Sequence, residues 1–266
     1  MTAALITKTW RDRWRGLLAW TVGLVAIIGM ELWVYPSIRT SSAGMESLME
    51  SYPEAFREFF RMSDFTSEIG FLNVEVFSLV VPLILIAVGI SWGAGAVADE
   101  EESGTTDILL TLPLSRTRIL TSKVVATAGV LLALGVILTA SLFLGGLLID
   151  LGIPLAQLTA ASMTSALLGL LYASLAFLLG AAFGRRGLAI GVPIALALAG
   201  YLAYSLSPMV DAFDAVNPVN PFQWAMAPDP LSNGMDFGAA ARLAVLSAML
   251  LAGAVAAYRR RDIRSA

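Results

Sequence analysis

Between Val76 and Ala98 the chain runs for 23 residues without a charge, and between Val124 and Ile149 for 26. About 20 apolar residues suffice for a helix to cross roughly 30 Å of hydrocarbon. Inside a bilayer every backbone polar group must be paired within the segment, so such runs have to be helices. Four more runs qualify: Leu17 to Tyr35, a helix at about Ala160 to Phe183 within the longer uncharged stretch Leu151 to Gly184, Gly187 to Val210, and Phe237 to Tyr258. Arg242 interrupts the last of these close enough to its start to snorkel to the interface. The fold class expected is an all-α polytopic membrane protein with six spans, residues 1–266 forming one transmembrane domain. Gly, Ala, Ser and Thr are frequent in the spans ("GISWGAGAVA", "TAGVLLALG"), as close helix packing in lipid favours.

Composition agrees. Charged residues make up 14% of the chain, against about 25% in a soluble domain, and the mean hydropathy is +0.78. Cysteine and histidine are both absent. Disulfides, Cys/His zinc centres, Ser-His-Asp triads and Cys-His nucleophiles are therefore excluded, and no metal site or catalytic residue is expected. The net charge of −3 says little, because in membrane proteins the placement of charge matters more than its sum. No cleavable signal peptide is expected: the first apolar run is long and no small-residue cleavage site follows it.

The bases sort by side. Lys8, Arg11, Arg13 and Arg15, then Arg116, Arg118 and Lys123, then Arg185 and Arg186, then Arg259, Arg260, Arg261 and Arg264 fall in alternate loops, 13 of 17 bases in all. Arg39, Arg57, Arg61 and Arg242 fall on the other side. By the positive-inside rule both termini are expected in the cytoplasm, and an even number of spans agrees by placing them on one side. The N-terminal "MTAALITKTWRDRWRG" mixes Leu5, Ile6, Trp10 and Trp14 with bases, as a short interfacial helix or a positive anchor does. In the first outer loop, Glu46, Glu50, Glu54 and Glu58 recur every four residues opposite Leu48, Met49, Tyr52, Phe56, Phe59 and Phe60. The spacing predicts an amphipathic helix with a solvated acidic face and a break at Pro53. The second outer loop, rich in Pro, Asn and Asp, is expected to be turns, with Phe222 and Trp224 at headgroup level.

One cytoplasmic segment stands apart: "ADEEESGTTDILLTLPLSRTRILTSK", Ala98 to Lys123, between the second and third spans. Asp99 and Glu100 to Glu102 follow the span, Ser103 and Gly104 allow a turn, and "TTDILLTL" gives one or two helical turns ended by Pro113. Ser115 then caps the next helix. Leaving Ile108, Leu109, Leu110 and Leu112 in water forgoes roughly 1.5–3 kcal/mol per leucine. The turn therefore packs within the chain or docks into a partner's groove; the adjacent acids argue against an anionic lipid surface.

This segment resembles the cytoplasmic loop of permease subunits of ATP-binding-cassette (ABC) exporters of the type-2 class: acids, Gly-Thr, a leucine-rich turn, Pro, Ser-Arg. The outer "ESYPEAFREFF", the late "NPFQW" and the closing "AAYRRRDI" are similar to family segments, so the resemblance covers essentially the whole chain. It implies a coupling helix between spans two and three that docks on a cytoplasmic ATPase subunit, with the N-terminal helix beside it as an elbow. Glu100, Glu101, Glu102, Gly104 and Thr105 would shape the start of the loop. Asp107, Leu109, Leu110 and Leu112 would form the docking turn, bracketed by Arg116, Arg118 and Lys123. No G-x-x-x-x-G-K-[ST] phosphate loop occurs, so the ATPase, with its ATP and Mg²⁺, is expected on a separate chain. Six spans are half the usual complement of the family the chain resembles, and the resemblance therefore implies a second permease copy or paralogue. The partners expected are therefore the ATPase, that second permease and membrane lipid, and no nucleic acid.

The rival reading is a secondary transporter driven by an ion gradient. Such proteins tend to carry ionisable groups at mid-membrane, whereas Glu31, Glu75 and Arg242 read as lying near span ends. An intramembrane metalloprotease lacks a histidine ligand. The spans' aromatics Trp92, Tyr172, Tyr201 and Tyr204 are the candidate contacts for a hydrophobic or amphipathic cargo such as a drug or lipid.

Overall fold

A computed structural model describes residues 2–41, 44, 48, 51–59, 65–102 and 115–260. The described chain is helical, with α1 over Thr2–Asp12 and α2 over Trp14–Thr40, then α3 (Glu54–Phe59), α4 (Glu68–Leu72) and α5 (Val80–Glu102). There follow α6 (Arg116–Leu148), α7 (Leu155–Phe183), α8 (Arg186–Leu206), α9 (Pro221–Met226), α10 (Pro230–Asn233) and α11 (Phe237–Arg260). Among the described residues six segments are long and apolar enough to cross a bilayer: Trp14–Thr40, Glu68–Ala96, Thr117–Leu148, Leu155–Phe183, Arg186–Leu206 and Phe237–Arg260.

Several spans run further than their apolar cores. The first begins at Trp14 and continues through Pro36, which lies inside it. The second starts at Glu68, where Ser67 Oγ accepts the Gly70 N–H. The fourth starts at Leu155, five residues before the expected start, because Pro154 supplies an extended N-cap and Gln157 donates to the Ser232 carbonyl at 2.9 Å. It ends where Gly184 takes the left-handed φ of +61°, a geometry that favours glycine. The fifth stops at Leu206, short of Val210, as the chain enters turns.

These extensions move two acids. Glu31 and Glu75 were expected near span ends; both lie inside the helical limits and are half-buried. Glu75 belongs to a wide π-turn, Asn73–Phe77, in which the Ser78 N–H donates to Asn73 O at 2.7 Å. Phe222 corrects a second expectation. It is fully buried between Tyr172 and Tyr201, at 6.1 and 5.8 Å between ring centroids, because α9 folds back into the bundle. In the first outer loop the described residues 44, 48 and 51 are helical, the helix breaks at Pro53 as expected and α3 follows, while Leu48, Tyr52 and Phe56 are exposed and Phe59 meets Tyr201 edge to face. Glu46 and Glu50 lie outside the described residues.

The fourth span, α7, is the hub, packing against the second, third, fifth and sixth spans. In lipid no hydrophobic force drives helices together, so contact depends on backbones coming close. The second and fourth spans do this through small residues. A Cβ on Gly93 would lie 2.6 Å from Ala173 O, one on Gly169 would lie 2.7 Å from Leu85 O, and one on Gly89 would collide with Gly169 O. The buried hydroxyls of Thr139, Ser165, Ser174 and Ser247 each donate to a carbonyl four residues back in their own helix. Among the described residues none of these four hydroxyls donates to another helix; each is satisfied within its own.

Candidate functional site

The base of the 103–114 segment is gripped from three directions. Lys123, on the second turn of the third span, donates from Nζ to the Ala96 carbonyl near the end of the second span at 2.5 Å. Ser115 caps the third span, its Oγ accepting the Arg118 N–H at 3.3 Å, as its position in the sequence predicts. From the N-terminus, α1 reaches both spans. The Trp10 indole N–H donates to Ala126 O at 3.0 Å, and its ring lies over Gly129, where a Cβ would be 2.9 Å away. At the break between α1 and α2, Arg13 crosses to the second span. Its Nη1 donates to Ser91 O at 3.3 Å, and the guanidinium carbon stands 5.5 Å from the Trp92 ring centroid. Gly95 leaves the room that guanidinium occupies. A cation over an indole face is attracted by the ring quadrupole. Alongside, Ala96, Leu120, Phe177, Ala181, Ala254 and Tyr258 form a buried cluster joining the second, third, fourth and sixth spans. α1, the two spans and α11 are thus fastened together at this end.

Of the residues the sequence assigns to the loop, Gly104, Thr105, Asp107, Leu109, Leu110 and Leu112 lie outside the described residues. Glu100, Glu101 and Glu102 extend α5, and Arg116 opens α6. Arg118 is exposed in the first turn of α6.

At the far end a cavity of about 710 Å³ opens among the second, fourth and fifth spans, α3 and the α9–α10 loop. Ile69, Val74, Phe77, Pro82 and Leu168 give it apolar walls, and Arg57, Asn73, Asp229 and Ser232 give it a polar rim. The π-turn is part of this wall and is tied to the loop: Asn73 Nδ2 donates to Asp229 Oδ1 at 3.0 Å. Asp229 holds a left-handed φ of +48° while its carboxylate also caps α10 through the Ser232 N–H and Oγ–H. The four candidate cargo aromatics separate. Tyr201 and Tyr204 line the cavity, Tyr172 is buried behind Phe222, and Trp92 lies at the opposite end beneath Arg13.

Comparison with known families decides the class. The model of ABC-2 family transporter proteins matches residues 3–262. The chain belongs to the ABC-2 transporter family. None of the curated proteins matches it. As an ABC-2 permease it is a transport component and a multi-pass membrane protein, of a family that normally works with an ATPase subunit. The ABC-2 resemblance draws attention to the loop residues, but the clasp beneath them rests on residues no motif marks. Trp10 and Arg13 each stand more than 80 positions from Gly95. Their nearest sequence signal is the mixture of tryptophan and bases ahead of the first span. Asn73 and Asp229 in this ABC-2 chain are equally silent, being 156 residues apart.

Proposed function

We propose that this chain is the transmembrane half of an ATP-driven exporter in the plasma membrane, with both termini in the cytoplasm. It moves a hydrophobic or amphipathic molecule of drug, antibiotic or lipid type. Its motor is a separate ATPase subunit that binds ATP and Mg²⁺, and it works as a pair with a second copy or paralogue. The observation that carries the reading is the clasp of Lys123, Trp10 and Arg13 at the base of the 103–114 segment. A force applied to that segment passes into the second and third spans together, and α1 follows them. Closure of the ATPases pulls the docked turn, the two spans move as rigid helices, and the space between two permeases changes from facing inward to facing outward.

The placement of Glu31 and Glu75 inside their spans favours one rival, coupling to an ion gradient, since intramembrane acids often serve proton or sodium relays. Vesicles separate the two. Export of an amphipathic dye into inverted vesicles is expected to require ATP and to survive collapse of the proton and sodium gradients. Dye movement in ATP-depleted vesicles driven by an imposed proton gradient would establish the rival.

A further inference from the structure

The far-end cavity has the size of a small-molecule site, within the usual range of roughly 300–1,000 Å³. Its polar groups are unequally occupied. Asp229 is committed: Oδ1 accepts from Asn73 at 3.0 Å and from the Ser232 N–H at 3.3 Å, and Oδ2 from Ser232 Oγ at 2.5 Å. The hydroxyls of Ser78 and Ser165 donate to carbonyls of their own helices. Glu54 is exposed at the mouth. Arg57 differs. It is the one base among the described lining residues, half-buried on α3, and its Nε is shut away from solvent without a hydrogen-bond partner among the described residues.

A guanidinium forms charge-assisted hydrogen bonds, the stronger kind, with anionic oxygens. An apolar chamber with this base in its lining matches a molecule with a hydrocarbon body and an anionic head. We infer that this cavity binds a single-chain anionic amphiphile, its head on Arg57 and its chain between Phe77, Val74, Ile69 and Leu168. The site lies within one chain and needs no second permease. That the ligand is the cargo rests on the proposed export function; the binding itself does not.

The test uses the purified full chain in lipid nanodiscs without any ATPase, so export can fail while binding stands. Because the chain has no cysteine, Ser205→Cys places a single thiol on the cavity wall and Val219→Cys one on the exposed loop outside it. Dodecyl phosphate is expected to slow alkylation of the first thiol and not the second, while dodecyltrimethylammonium slows neither. Adding Arg57→Gln is expected to raise the protecting concentration about ten- to a hundredfold, and Arg57→Lys to restore most of the protection. Ser165→Cys, on the opposite wall, should repeat the pattern. Equal protection by the cationic amphiphile, protection that Arg57→Gln leaves unchanged, or thiols at 205 and 165 that never react would each overturn the inference.

Discussion

Replacing Leu109 and Leu112 together with aspartate is expected to release the ATPase while all six spans stay inserted. A docking turn holds through its apolar side chains. Each leucine removed from water contributes roughly 1.5–3 kcal/mol, so losing two weakens association by about a hundredfold to ten-thousandfold. Burying the new carboxylates adds a further penalty. Co-purification of the ATPase should disappear and ATP-dependent export with it. Yield, helix content and oligomer size of the permease should be unchanged, because the substitutions lie outside the spans. An ATPase that still co-purifies at normal yield would show that those leucines pack within this chain, the internal alternative the sequence itself leaves open.

The second large effect belongs to the interior. Gly93→Val and Gly169→Val each place branched carbon against backbone carbonyls that have nowhere to retreat, at Ala173 and Leu85. Overpacking of this kind costs about 1–3 kcal/mol per site, and the pair forces the second and fourth spans apart. Since the fourth span is the hub, the double variant is expected to lose its cooperative thermal transition in detergent. Gly187→Ala is the matched control. Nothing lies within 4 Å of a Cβ there, and alanine is the better helix former, so its transition should stay put or rise slightly. Equal destabilisation by all three changes would mean the close approach of these spans does not hold the bundle together.

The spans were legible because hydrocarbon imposes one demand on every residue it touches, and a run of apolar side chains records that demand locally. The ends were less so. Beyond their apolar runs, helices continue through Gln157, Glu68 and Pro36 as their caps and neighbours allow, and hydropathy is blind to that. Phe222 shows the same limit: an aromatic beside proline reads as a headgroup anchor, yet α9 turns it inward onto Tyr172 and Tyr201. The Ser115 cap was readable because it acts over three residues. The clasp and the Asn73–Asp229 tie were not, since their contacts join residues far apart in the chain. Arg57 enters the sequence reading only as one of four bases on the outer side; only the fold places a chamber beside it.

The central claim is that an ATPase grips the chain between its second and third spans. Benzoyl-phenylalanine in place of Leu110, irradiated in membranes of the native host, tests it directly, with the same photoreactive residue in place of Val219 at the far end as the comparison. The account expects the first to yield an adduct whose digest contains peptides of a phosphate-loop ATPase, and the second to yield none. An ATPase adduct from position 219 but not from 110, or adducts from 110 that join only segments of this chain, would contradict it.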